Sequence, residues 1–287
     1  MKPVFSTSFL CSRRAVLQAA VSALLATPAA ATAGIRHGVP SDRVAQRIQP
    51  PHGYQRAPVA VQSFTDWLRE LPLQPPGSPV LLYTGALKGR QDAHAAVIDI
   101  DVGARDLQQC ADAVMRLRAE WQFASGRQRS IVFSDTGEGK PMEWIRWAAG
   151  ERPRLNGRSL IWERRSAPDP SYGSFRRYLD TVFTWAGTYS LERELIPVSV
   201  SDAAAGDVLI QGGFPGHAVL VVDLAIQPQT GDRLMLLAQS YMPAQSIHLL
   251  NNLSDPPLSP WYRLTAGAPV QTPDWTFPPD RLRRWRN

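Results

Sequence analysis

The sequence predicts an α+β fold: a helix packed on an antiparallel sheet, preceded by a smaller hairpin and helix. Three observations carry this. Leu107, Cys110, Val114, Leu117 and Trp121 recur at helical spacing, with Asp112, Arg116 and Glu120 on another face. Phe175, Tyr178, Leu179, Val182, Phe183 and Ala186 form a second such stripe. Three runs rich in Val, Ile and Leu follow, at 207–210, 217–226 and 234–240, with Gly231-Asp232 as a turn between the last two.

The first thirty-three residues are set apart from that body. Arg13-Arg14, a weakly apolar stretch to Leu25, and the ending Ala29-Ala30-Ala31-Thr32-Ala33 form the three parts of a cleavable twin-arginine-type signal. A membrane span needs about 20 strongly apolar residues, and this stretch is short and alanine-rich. The sequence therefore predicts cleavage after Ala33 and a periplasmic or secreted protein with no integral membrane segment once the signal is gone. Cys11 precedes the apolar stretch, so lipid attachment is not expected.

Cleavage changes the charge and cysteine arithmetic. Loss of Lys2, Arg13 and Arg14 takes the formal charge from +6 to +3, too mild to argue for nucleic acid. Of the two cysteines only Cys110 remains, which excludes an internal disulfide. Stability must come from a packed core, and 44% hydrophobic residues suffice for one.

Residues 34–61 are polar and proline-bearing without periodicity, which suits a flexible linker ahead of a single globular domain over 62–287. Phe64, Trp67, Leu68 and Leu71 predict a short helix ending before Pro75-Pro76. Val80 to Thr84 and Ala93 to Ile100 predict the two strands of a hairpin, and Asp106 to Trp121 the first long helix. The Trp-rich stretch 142–147 has no clear periodicity. Ser174 is placed to cap the second long helix, which Gly187 stops, and a shorter helix runs from Ser190 to about Leu195. The basic end, Arg281 to Asn287, suits a solvated or surface-docked tail.

The order helix, short helix, Gly206-Asp207-Val208-Leu209-Ile210, Gly216-His217-Ala218 and a strand bearing Gln239 resembles the core of the NlpC-type papain-like peptidases and amidases of the cell wall. The resemblance covers 174–240 and places a papain-like core at about 170–250. It implies a nucleophile at a helix start, His217 as base and Gln239 as its orienter. A helix N-terminus stabilises a thiolate and a developing oxyanion, and a polar partner fixes the tautomer of the histidine.

Counting back from Ala186-Gly187, the nucleophile's place falls at Ser174 or Phe175, where no cysteine stands. Ser174 is an attacking alcohol or simply a cap. Cys110, the remaining thiol, is a nucleophile delivered from the first half or a small buried hydrophobe. His217 is a site residue or satisfies loop backbone. Lys88, Gln91, His94, Asp99, Asp101, Asp106, Gln108 and Gln109 form a polar group that is either a solvated face or the lining of a cleft. The histidines show no metal-ligand spacing, and neither metal nor other cofactor is expected.

Nearly the whole mature chain also resembles an uncharacterised bacterial family, domain of unknown function 4846. The strings that carry the likeness include Asp106-Leu107-Gln108-Gln109-Cys110-Ala111-Asp112, Gly216-His217-Ala218 and Ala238-Gln239-Ser240-Tyr241-Met242-Pro243-Ala244-Gln245. They draw attention to Cys110, Tyr241 and Gln245. Taken together, the sequence predicts a hydrolase or amidase acting on cell-wall or peptide amides. The competing reading is an inactive envelope protein that holds a peptidoglycan fragment, glycan or peptide in the same cleft.

Overall fold

The strand His217–Ile226 is buried in all but its last residue, and the rest of the molecule is built on it. The computed structural model describes residues 42–157 and 159–286, all within one compact unit, and the expected signal over 1–33 lies outside them. Helices and antiparallel sheet mix in an α+β architecture. Across the main sheet the strands run His94–Val97, His248–Leu250, Arg233–Gln239, His217–Ile226, Val208–Gln211, Leu282–Trp285 and Leu195–Pro197, each antiparallel to its neighbour. Trp261–Leu264 pairs with the start of Arg233–Gln239, and Gln55–Arg56 with the end of the central strand.

Alternation along the central strand divides two cores. Ala218, Leu220 and Val222 join the cluster containing Val114 and Leu117 of the helix Cys110–Ala124 and Phe175 and Leu179 of the helix Tyr172–Trp185. Val219 and Val221 face the other way, onto Leu250, Tyr262 and Phe277. Each fully buried aliphatic side chain contributes roughly 1.5–3 kcal/mol, so both faces are held by burial.

Several elements depart from the sequence expectation. Residues 42–61 are no tether: Val44–Arg47 is helical with Val44 fully buried, and Gln55–Arg56 extends the sheet. Asp223 explains why. Its buried carboxylate receives Arg56 at 2.8 Å and Arg69 at 2.7 Å, so the segment is fastened by charge that has no solvent to turn to. The expected hairpin over 80–100 does not form. Val80 to Lys88 folds back on itself, while His94–Val97 pairs with His248–Leu250.

The basic end is a strand of the main sheet, Leu282–Trp285, locked where Arg284 grips Asp207 at 2.6 and 2.8 Å. The unread Trp-rich stretch is a strand, Pro141–Glu143, followed by a short helix, Trp144–Ala148. Among the described residues no helix is long and apolar enough to cross a membrane.

Candidate functional site

The helix bearing Cys110 begins with it. Gln109 is the N-cap, its backbone N–H bonded to the Asp112 carboxylate at 3.0 Å in a capping box, so the chain cannot become helical earlier. The thiol therefore lies at a helix N-terminus rather than within the stripe that the sequence suggested. The backbone N–H of Ala218, the residue after His217, is near enough to favour the thiolate. Burial first, and the Asp112 carboxylate second, push this thiol up to about 11, against the pull of those N–H groups.

His217 opens the central strand because Gly216 lets the chain turn tightly ahead of it. A Cβ at Gly216 would stand 2.4 Å from Thr188 Oγ1 and 2.6 Å from the Gln211 carbonyl oxygen. On the neighbouring strand Gln239 reaches the same face, and its Oε1 lies 2.9 Å from His217 Nε2. Gln239 Nε2 donates to Asp274 Oδ2 at 2.7 Å, and that carboxylate is paired with Lys88 Nζ at 2.9 Å. The tautomer follows: with its amide nitrogen committed to Asp274, Gln239 offers oxygen to the ring, so Nε2 carries the proton and Nδ1 the lone pair. Nδ1 has no hydrogen-bond partner.

The imidazole is sealed. It has no exposed surface, and the rings of Tyr241, Trp275 and Phe277 stand 5.1, 5.5 and 5.7 Å from it. Burial holds its pKa down to about 4, although Gln239 and Asp274 pull upward. No hydrogen bond joins Cys110 or Ser174 to His217. The cover comes from the hairpin Val270–Gln271 with Thr276–Phe277, which also supplies Asp274.

The structure thus gathers Cys110, His217, Gln239, Tyr241 and Lys88 in one neighbourhood, and Tyr241 adds a hydroxyl 3.4 Å from the Asp274 carbonyl oxygen. Other expected residues lie apart or work structurally. Ser174 is neither cap nor exposed alcohol: Ser171 caps the helix, while Ser174 is fully buried and accepts from Trp147 Nε1 at 3.0 Å. Gln91 braces the turn at Val80 and Lys88 through their backbone groups. His94 bonds the Ser78 carbonyl oxygen and lines a separate cleft with Gln91. Asp101 pairs with Arg116 and Arg176. Gln109 serves as the cap, and Gln245 is buried with its Oε1 unpartnered.

Asp274 and its covering neighbours Trp275 and Phe277 were not among the expected site residues. No local pattern marks them, since each reaches the site only through the register of a two-residue hairpin. Gln108, one of the expected polar group, is buried two residues before the thiol, with its Oε1 on Arg116 and its Nε2 without a partner.

A family model described as domain of unknown function (4846) matches residues 44–284. No curated protein and no solved structure matches the chain.

Proposed function

Since the chain belongs to the family described as domain of unknown function 4846, whose name assigns no chemistry, we propose from its own side chains that it is an exported hydrolase of cell-wall or peptide amide bonds on a papain-like, NlpC-type core. Cys110 is the nucleophile, His217 the base and Gln239 its orienter. The observation that carries this reading is the placement of a helix-start thiol against the backbone of Ala218, beside a histidine whose Nε2 is tied down and whose Nδ1 is left free. A core with only a packing role gains nothing from burying His217, Gln239 and Lys88 against a partly buried Asp274, because each costs desolvation that the network only partly returns.

In this reading the hairpin over 270–277 swings clear as substrate enters. His217 Nδ1 takes the thiol proton and the thiolate attacks the amide carbon. The helix N-terminus faces the oxyanion, and the C–N bond breaks as the imidazolium protonates the departing amine. Water, deprotonated by the same ring, then cleaves the thioester and restores the thiol. No cofactor is needed for these steps.

A second reading is favoured by the sealed imidazole and by the missing hydrogen bond between thiol and ring: a protein that holds a peptidoglycan fragment, glycan or peptide without cutting it. Incubation with purified peptidoglycan separates the two. Wild type should release fragments that Cys110→Ala and His217→Ala do not. Equal fragment release from all three would end the catalytic reading, and co-sedimentation without fragments would establish the second.

A further inference from the structure

We propose that the protein has an oxyanion-binding site at Arg118, away from the thiol, which takes a phosphate or carboxylate group. Arg118 lies eight residues along the helix from Cys110 and opens onto two adjoining clefts of about 380 and 400 Å³. Aromatic rings hold its guanidinium in place: the carbon lies 4.6 Å from the Trp121 centroid, 5.1 Å from Phe64 and 5.7 Å from Trp285.

What makes this a site rather than a stack is the absence of a counter-charge. Asp101, Asp169, Asp180, Asp207 and Asp223 each pair with an arginine. Among the described residues no ion pair or side-chain hydrogen bond reaches Arg118, and none of its nitrogens is sealed from solvent without a partner. Its donors therefore face the clefts. A second guanidinium, Arg127, sits 4.5 Å from the same Trp121 ring and is equally unpaired.

Two like charges that share one ring repel, and here the partly buried one is held down to about 10, by burial first and Arg127 second. The acids lining the clefts do not relieve them. Asp207 has both oxygens on Arg284, and Glu194 is pushed up to about 7 by burial. An oxyanion between the two forks would satisfy free donors with charge-assisted hydrogen bonds and cancel the repulsion. The aromatic walls fix the fork geometry in advance, which lowers the ordering cost of binding.

Isothermal titration of the full chain with inorganic phosphate, and separately with acetate, against chloride at matched ionic strength tests this. Saturable binding of phosphate, acetate or both is expected, and which anion binds identifies the ligand's acidic group. Arg127 is exposed, so Arg127→Gln should fold and weaken binding roughly tenfold, about one charge-assisted contact. Arg118→Gln should abolish it with an unchanged circular dichroism spectrum, and Cys110→Ala should leave it intact. The site is overturned if neither anion saturates by roughly 50 mM, or if Arg127→Gln binds as wild type does.

Discussion

Gln239 donates its amide nitrogen to Asp274 at 2.7 Å and, by that commitment, presents its oxygen to His217. The acid thus sets the tautomer of a ring it does not touch. Long-range proton–nitrogen correlation should show His217 as the Nε2–H form in wild type. In Asp274→Asn the amide loses the charged acceptor that fixes its orientation, and the spectrum should show both tautomers. Stability should fall by about 2 kcal/mol, because Lys88 loses its charged partner as well. A pure Nε2–H form in the variant would show that Asp274 does not orient the relay.

In the proposed reaction the hairpin that covers His217 also controls the thiol. With its pKa near 11, Cys110 in the closed protein should resist iodoacetamide at pH 7. Trp275→Ala removes one wall of the hairpin, and alkylation should rise at least about tenfold as solvent and the His217 lone pair gain access to the sulfur. Adding His217→Ala should return the rate toward that of wild type. A Trp275→Ala rate that the second substitution leaves untouched would mark simple exposure, with no base at work.

Among the described residues His217 and His248 are buried, and together they predict a pH dependence of stability. His217 is held down to about 4 and His248 to about 3, both chiefly by burial, while an unfolded histidine titrates near 6.5. Between those values the unfolded chain binds more protons, so this stability is complete above about 6.5 and is lost as pH falls through 4. For His217 the amount is roughly 3 kcal/mol. Glu194 acts in the opposite sense, being raised to about 7, so its contribution is present below about 4.5 and lost as pH rises through 7. Urea midpoints from pH 4 to 7 in wild type and His217→Gln isolate the ring: the variant's curve should be flatter toward acid, and parallel curves would mean that His217 is not held neutral.

Much of the sheet was legible in the sequence because its central strands are buried on both faces, which leaves unbroken Val and Leu runs between turn residues. His217 and Gln239 were singled out by the resemblance to the NlpC-type core, and the structure sets them 2.9 Å apart at the ends of two such runs. The start of the Cys110 helix was missed because Leu107 continues the apolar phase backward, while the capping box of Gln109 and Asp112 decides where the backbone becomes helical. That shift moves the thiol from a stripe to a helix mouth. Residues 42–61 looked like linker because their anchor, Asp223, is far away in sequence and is matched by arginines that look solvated. The hairpin 270–277 has two residues per strand, too few for any periodicity to show.

Ser174, expected as an attacking alcohol or a cap, stands in the structure as a buried hydrogen-bond partner. Its hydroxyl is fully buried and accepts the indole N–H of Trp147, a ring that also packs 6.1 Å from Tyr178. Ser174→Ala leaves that N–H without an acceptor and should cost about 1–3 kcal/mol. Ser171→Ala removes the true cap and should cost about 1 kcal/mol. If the proposed reaction holds, neither should alter release of peptidoglycan fragments at a temperature where both variants are folded, because neither side chain belongs to the Cys110 neighbourhood. Thermal melts alongside the peptidoglycan assay check both halves, and loss of fragment release in a fully folded Ser174→Ala protein would return the attacking role to this hydroxyl.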